Sequence, residues 1–374
     1  NSFKEDEHYV HEWEKSNIAP IPVQEDYMPS FSDVSTKLHI SSVDSWSMIA
    51  NWYSDLVRKQ TKIDDEVQNA IANIFPNGYQ NLSDHEKAQR IYYYITDNFN
   101  YSYVSFKQSG LVPQKPSKTI TSKLGDCKDF STLFLVLGQQ VELDVNLVLV
   151  LTSDYGKKDL ILPSSDFNHC IVKVLIDGKP QFLELTSKYL PFRSLPMSLR
   201  GAKALDIPIT TNNKLESKLY EIEKVQRKEA NVKANYKLAI DSNDEQKIKL
   251  SNIFSGHLTS LYIKIFSTND LVDDKIQEDI LSRASDQVKL EKVNNFNINK
   301  EKGEIDYTTT LKTKLKINKI GEIFTFEAPY FTNPYNYSIL NLENRLYPID
   351  YRQYENADYY EENVEIVIDV NKKF

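Results

Sequence analysis

The stretch that decides the fold is Gly125-Asp126-Cys127-Lys128-Asp129, which an apolar run over 130–137 follows directly. The apolar run predicts a helix, because its large side chains recur at i, i+3, i+4 and i+7. These side chains are Phe130, Leu133, Phe134 and Leu137. Cys127 lies in the first turn of that helix, where unpaired N–H groups and the positive end of the helix dipole favour a thiolate. The thiolate is the nucleophilic form of cysteine, so the stretch predicts a candidate nucleophile.

A structural role for Cys127 is the commoner alternative. A free cysteine is more often a small buried hydrophobe than a reactive group. The carboxylates of Asp126 and Asp129 also partly oppose the positive charge of Lys128. A reactive role therefore needs a base and an orienting group elsewhere in the chain.

The composition of the 374-residue chain excludes several classes of protein. The net charge of −8 and the pI of about 5.4 argue against a nucleic-acid-binding surface, which needs a basic patch. No run of 18 apolar residues is present, so we predict no transmembrane segment. The two cysteines, Cys127 and Cys170, exclude a disulfide framework, although one bridge between them stays open. The length is enough for two or three domains with a real core.

The polar residues 1–43 contain three prolines and predict an extended lead-in. We expect this lead-in to be the remnant of a missing N-terminal domain. His8 and His11 lie among charged residues with no further ligand cluster, so they predict no metal site. We predict no signal peptide from these residues.

Three helices are predicted between residues 44 and 99, where apolar residues recur at helical spacing. The third of them begins with the capping box Ser83-Asp84-His85-Glu86. Residues 100–124 are predicted as an aromatic loop. This loop either walls a substrate cleft or packs on its own side chains.

A predicted β-hairpin around the turn Asp177-Gly178 supplies the groups that a reactive cysteine needs. If these two residues are the turn, Ile176 pairs with Lys179. His169 and Glu184 then project from one face as diagonal neighbours, about 7–8 Å apart at Cα. A carboxylate can reach an imidazole over that distance, so the hairpin predicts a base with its orienting group. Cys170 is predicted to point to the opposite face as a core residue.

These residues resemble the core of bacterial members of the transglutaminase-like superfamily. The resemblance covers residues 45–205, and the motif around Cys127 is its most specific part. It implies an α+β fold with a papain-like/transglutaminase-like core, in which helices pack on an antiparallel sheet. It also implies that Cys127 is the nucleophile, His169 the base and Glu184 the third member of a triad. Glu184 stands where most of the family has Asp.

The chemistry implied by the resemblance is thiol acyl transfer on amide bonds. The backbone N–H of Cys127 would help to hold the oxyanion. Candidates for a second oxyanion donor are Gln108, Gln114 and Tyr103. Candidates for the wall of the substrate cleft are Tyr101, Phe106 and Asn168.

After Pro208 the composition shifts. We therefore predict a core domain over residues 44–208 and, after it, a β-rich domain with inserted helices over residues 209–374. Residues 210–213 are a predicted linker. Helices are predicted at about 245–266 and 274–286. Strands are predicted over Val232 to Ile240, Ile305 to Thr313, Leu315 to Ile317, Ile323 to Phe326 and Val364 to Val370. The many tyrosines between Tyr330 and Tyr360 either pack these strands, which is commoner, or bind a glycan or a cell-envelope partner.

Three functions remain open at this stage. The first is hydrolysis of a peptide or protein substrate, and the second is glutamine cross-linking. The third is a binding or assembly module without activity. No cofactor or metal is predicted. The resemblance to bacterial proteins also implies export to the periplasm or the cell surface.

Overall fold

The computed structural model describes most of the chain. The described residues are 1–18, 20, 24–102, 110–156, 159–209, 217–222, 229–240, 245–267, 271–284, 288–332, 344–350 and 357–368. The predicted linker 210–213 lies outside them, as do Tyr103, Phe106 and Gln108.

The first part of the chain packs helices against an antiparallel sheet, as predicted. Its helices are α1 (Phe31–Val34), α2 (Trp46–Arg58), α3 (Asp65–Ile74), α4 (Asp84–Asn98), α5 (Pro116–Ser122) and α6 (Cys127–Gln140). Its strands are β1 (Ser2–Glu5), β2 (His8–His11), β3 (Asn100–Tyr101), β4 (Leu124–Gly125), β5 (Val145–Leu151), β6 (His169–Ile176), β7 (Lys179–Leu183), β8 (Lys203–Ile207) and β9 (Tyr220–Glu221). The described five-stranded sheet has the order β7-β6-β5-β8-β9, and each neighbouring pair is antiparallel.

Side-chain caps begin the predicted helices. Ser45 accepts the N–H of Met48 at the start of α2. Ser83 and Glu86 form the predicted capping box of α4. Each cap satisfies N–H groups that a helix leaves unpaired at its first turn. These local rules explain why the helix starts could be predicted.

Strand β5 is buried on both faces, which explains its nearly continuous apolar sequence. Val145, Leu147 and Leu149 belong to the large core beneath α6. Val148 and Val150 belong to a smaller core on the other side of the sheet. Successive side chains of β5 therefore alternate between the two cores, because neighbouring residues of a strand face opposite sides of the sheet.

The hairpin of β6 and β7 has the predicted register. Ile176 pairs with Lys179, and Val172 pairs with Leu183. Asp177 and Gly178 have φ values of 51° and 74°. Two successive positive φ values are the signature of a type I′ turn, which joins two strands with the twist of a hairpin.

The loop predicted for residues 100–124 is more regular than expected. Strands β3 and β4 pair in parallel, and helix α5 lies between them in sequence. Pro116 is the first residue of α5, where its missing N–H costs no hydrogen bond. Lys123 ends α5 in the left-handed conformation that commonly closes a helix. The prediction of a loop over 100–124 missed this helix.

The second part of the described chain is a sheet with two helices against it. Its strands are β10 (Asn231–Ile240), β11 (Gln246–Ser255), β12 (Val288–Asn299), β13 (Glu304–Thr313), β14 (Asn318–Ile320), β15 (Ile323–Thr325) and β16 (Tyr359–Ile368). Its helices are α7 (Thr259–Phe266) and α8 (Val272–Arg283), and its larger sheet has the order β12-β13-β11-β10-β16. Its buried apolar residues form a core separate from those of the first part.

Several predictions for this second part need correction. Residues 246–255 form strand β11, although a helix was predicted from about 245. Ile248, Leu250 and Phe254 are buried at even positions, which is the period of a strand and was overlooked. No strand covers Leu315 to Ile317. Of the clustered tyrosines, Tyr360 packs on the core, while Tyr335, Tyr337, Tyr351 and Tyr354 lie outside the described residues.

Candidate active site

Helix α6 places Cys127 as its first residue, and the capping residues fix that position. The Asp126 side chain accepts the N–H groups of Lys128 and Asp129, and the Asp129 side chain accepts the N–H of Asp126. Gly125 lets this turn pack closely, because a Cβ at that position would lie 2.8 Å from the ring of Phe130. Cys127 is 4% exposed, and Cys127 and Cys170 are both free thiols in this structure.

The hairpin brings the predicted base and acid together. His169 is the first residue of β6, and its Nε2 lies 2.6 Å from Oε2 of Glu184. The other carboxylate oxygen, Oε1, accepts the N–H of Thr186 at 2.7 Å and the hydroxyl of Thr186 at 2.6 Å. Both oxygens of Glu184 are therefore held, and the longer Glu side chain reaches the imidazole.

The electrostatics of His169 and Glu184 favour an ion pair. Burial disfavours the imidazolium, but the charge of Glu184 and hydrogen bonds with Cys127 and Glu184 outweigh it, so the pKa of His169 is raised well above its ordinary value. Burial also disfavours the carboxylate. The charge of His169 and the hydrogen bonds from His169 and Thr186 nevertheless lower the pKa of Glu184.

Glu184 contacts one of the two ring nitrogens of His169. This nitrogen is Nε2, and an interaction with the Cys127 side chain is among the causes that raise the pKa of His169. Nδ1 is therefore the nitrogen left for the thiol. Glu184 orients the ring, and the imidazole and Cys127 line the same cavity, which is compatible with nucleophilic catalysis by cysteine.

Charged groups beside Cys127 are paired within the protein. The side chain of Lys128 is 3% exposed and forms a salt bridge with Asp126. Asp129 accepts the backbone N–H of Gln114 at 2.8 Å on one oxygen and the Gln114 side-chain amide at 2.8 Å on the other. Gln114 thus braces the start of α6, and it is not among the residues that line the cavity at Cys127. Its role as an oxyanion donor stays a prediction.

A cavity of about 780 Å³ opens onto Cys127, His169 and Glu184. The predicted cleft residues Tyr101 and Asn168 line it. The Asn168 amide is held by Thr152, because its oxygen accepts the Thr152 N–H at 2.9 Å and its nitrogen donates to the Thr152 hydroxyl at 2.8 Å. Asn168 therefore anchors the chain just before His169.

Sequence reasoning missed many of the cavity residues, and two groups of them matter for the site. Thr186 and Ser187 follow Glu184 on the chain, and only the proximity of Thr186 to the acid could have indicated a role. Residues 37–41 also line the cavity, although 1–43 was predicted to be a lead-in. No sequence signal indicated that contact, because the segment is far from Cys127 along the chain.

Two further features, a metal-binding cluster and a membrane-spanning helix, can be checked in the described residues. Within the described ranges, no group of three or more His, Cys, Asp or Glu side chains could hold a metal ion. No helix among the described residues is long and apolar enough to cross a membrane.

Comparison with protein families gives a match to the transglutaminase-like superfamily over residues 71–182. The chain contains a transglutaminase-like domain. The matched range holds Cys127 and His169, and Glu184 lies two residues beyond it. The match supports a cysteine-dependent enzyme in general. No curated protein matches the chain.

Two solved structures have a remote likeness to the chain that holds the transglutaminase-like domain. A "putative protease" from Parabacteroides distasonis ATCC 8503 has a TM-score of 0.41 and 14% identity, over 79% of this chain and 58% of that one. A "putative cysteine protease" from Cytophaga hutchinsonii has a TM-score of 0.27 and 16% identity, over 48% of this chain and 53% of that one. The chain thus spans between half and three fifths of the length of either protein.

Proposed function

We propose that the protein is a cysteine-dependent hydrolase of amide bonds in peptides. The observation that carries the proposal is the His169–Glu184 contact of 2.6 Å beside Cys127 at the start of a helix. These groups share a cavity of about 780 Å³, which is within the range of ligand pockets. Export to the periplasm or the cell surface belongs to the same proposal.

The reaction follows from the roles that the geometry allows. In the reactive state the proton of Cys127 resides on Nδ1 of His169, so a thiolate stands beside an imidazolium, and the thiolate attacks the carbonyl carbon of the amide. The backbone N–H of Cys127 lies at the helix start, where it can donate to the developing oxyanion. The imidazolium returns its proton to the leaving amine, and an acyl-enzyme remains. A water molecule then gives a proton to His169 while its oxygen attacks the thioester carbon. The C–S bond breaks, the peptide fragment leaves as a carboxylic acid, and the thiolate beside the imidazolium is restored.

Substitution of Cys127 by Ala tests this function. The variant should lose all turnover of a mixture of unstructured peptides, as followed by mass spectrometry, because no other group can form the thioester. A Cys170→Ser variant is the matched control and should keep its activity, since Cys170 is buried in the core. An active Cys127→Ala protein would refute the proposal.

Amine transfer is the alternative fate of the acyl-enzyme. The same peptide mixture with a labelled primary amine separates the two reactions. Hydrolysis predicts shortened peptides without the label. A labelled glutamine side chain and no cleavage would instead assign a cross-linking enzyme.

The pH dependence of iodoacetamide labelling tests for an inactive binding module. An ordinary thiol reacts fully only above a pH of about 8.5. A thiolate that pairs with His169 should react at acid pH, and a His169→Ala substitution should abolish that reaction. Labelling that follows an ordinary thiol in both proteins would favour a module without catalysis.

A further inference from the structure

Residues 37–41 form one wall of the cavity that contains Cys127. The segment is anchored near both ends on the chain between β5 and β6. Lys37 Nζ lies 2.6 Å from Oδ1 of Asp159, and the Ser41 hydroxyl donates to the carbonyl of Pro163. The Ser30 hydroxyl also donates to the carbonyl of Tyr155 at 3.2 Å. These contacts hold the segment beside the thiol.

The backbone between the two anchors offers hydrogen-bonding groups. Residues 37–42 belong to no helix, strand or turn, and burial alternates residue by residue from His39 to Ser45. This alternation is typical of an extended chain. Among the described residues, the N–H and C=O groups of Leu38, His39 and Ile40 have no backbone partner. An extended chain with open edges can accept another strand by main-chain hydrogen bonds.

The side chains of the segment add an apolar surface to that edge. Leu38 is 56% exposed and Ile40 is 69% exposed, although both line the cavity. Leu162 lines the same cavity and is 39% exposed. Apolar side chains of a bound ligand would remove these three residues from water, which favours binding.

We propose that residues 38–40 are a substrate-binding edge, along which an unfolded peptide with apolar residues lies as an added strand. The main chain of the peptide pairs with the main chain of Leu38 to Ile40, and its apolar side chains contact Leu38, Ile40 and Leu162. The proposal rests on the proposed function, since it names the substrate of the same cavity. It selects an extended polypeptide over a small amide.

A peptide electrophile tests this edge without the need for turnover. The probe is a blocked tetrapeptide of alanine and leucine that ends in a vinyl sulfone, and methyl vinyl sulfone is the same electrophile without a peptide. With Cys170 changed to Ser, labelling of Cys127 is measured against probe concentration. The peptide probe should show saturation and the small probe should not. Peptide labelling without saturation would overturn the proposal.

Side-chain variants test the apolar contacts. Leu38→Ser with Ile40→Ser should raise the half-saturating concentration of the peptide probe about tenfold, since two apolar contacts are lost. Ile161→Ser is the matched control, because Ile161 is 61% exposed near the cavity but does not line it, and it should change nothing. The rate with methyl vinyl sulfone normalises each variant for the reactivity of Cys127. The same half-saturating concentration of the peptide probe in the double variant and in the wild type would contradict the proposal.

Two neighbouring proline variants test the main-chain hydrogen bonds. Adjacent N–H groups of an extended chain point to opposite edges, so only one of His39 and Ile40 faces the peptide. Only one of His39→Pro and Ile40→Pro should therefore weaken probe binding, by about twofold to tenfold. Equal effects of both variants would refute strand pairing.

The outcomes separate this inference from the proposed function. If probe labelling saturates and the Leu38 and Ile40 variants weaken it, but the protein cleaves no peptide, the binding edge is supported and the hydrolase is refuted. Peptide cleavage with a KM that these variants leave unchanged would support the hydrolase and refute the binding edge.

Discussion

Two networks of buried charged side chains in this chain contain the same kinds of interaction but differ in their surroundings. In the first part of the chain, His169 and Glu184 pair at 2.6 Å beside a thiol and a cavity. In the second part, Arg283 forms a salt bridge with Asp279, and Tyr307 donates to Asp279 at 2.7 Å. Burial lowers the pKa of Arg283, but the charges of Tyr307 and Asp279 outweigh it and raise that pKa.

The difference between the networks lies in what surrounds them. Arg283 also donates to the carbonyl of Phe331 at 2.8 Å and to the hydroxyl of Tyr307 at 2.7 Å. Neither Arg283 nor Asp279 lines the cavity at Cys127. A shifted pKa therefore marks a candidate site only where a nucleophile and an accessible cavity accompany it. We propose that the Arg283 network is structural and that the His169 network is catalytic.

Removal of the base should have the largest effect. His169→Ala should lower kcat/KM for a peptide by about 10²–10⁴-fold, since general base catalysis contributes that much. Initial rates on a cleaved peptide provide the measurement. His257→Ala is a control with a buried histidine of the second part, and its kcat/KM should stay within a few-fold of wild type. Equal losses of kcat/KM in both variants would contradict the proposal that only the His169 network is catalytic.

Removal of the structural cation should act on stability instead. Arg283→Met leaves the Asp279 carboxylate without its salt bridge, and we expect unfolding free energy to fall by about 3 kcal/mol. Urea denaturation measures the change. The double variant Arg283→Met with Asp279→Leu should recover part of the loss, because the unpaired charge is gone. A change in kcat of the folded protein would contradict a purely structural role.

The two networks should also differ in their response to pH. The raised pKa of His169 contributes stability below about pH 6.5, the unfolded value, and this contribution is lost as the pH rises through the folded pKa. The lowered pKa of Glu184 contributes stability above about pH 4.3, and this is lost as the pH falls through the folded pKa. The stability difference between wild type and His169→Gln should therefore be largest between about pH 4.5 and 6.5.

Denaturation of both variants across pH 4 to 9 checks this expectation. The difference between wild type and Arg283→Met should persist at pH 9, because arginine stays charged and burial raises the pKa of Tyr307. A His169→Gln difference that also persists unchanged at pH 9 would show that the ion pair adds nothing.

The smallest effect should come from the residue that holds the acid. Thr186→Val removes the hydroxyl that donates to Glu184 at 2.6 Å but keeps the backbone N–H bond at 2.7 Å. We expect kcat to fall about twofold to tenfold, since one hydrogen bond is lost. Thr186→Ser should restore it, because serine keeps the hydroxyl. A serine variant with the same low kcat as the valine variant would mean that the loss does not come from the hydroxyl.

Local signals made much of the fold predictable. The capping box of Ser83 and Glu86 and the hairpin turn at Asp177 depend on neighbours within a few residues, and both are confirmed. The misassigned strand β11 and the missed helix α5 show the limit of this approach. Ile248, Leu250 and Phe254 recur at the period of a strand, which the helix prediction overlooked, and this segment pairs with β10 and β13.

The sequence by itself determined the helix that begins at Cys127 and the hairpin that carries His169 and Glu184. Caps, apolar periods and turn residues are properties of neighbouring residues, so a single chain displays them. Only the tertiary structure decided that Thr186 holds the acid, that Gln114 braces Asp129, and that residues 37–41 wall the cavity. Contacts such as Lys37 with Asp159 join residues 122 positions apart. No local pattern encodes them, because they form only when the packed core brings distant segments together.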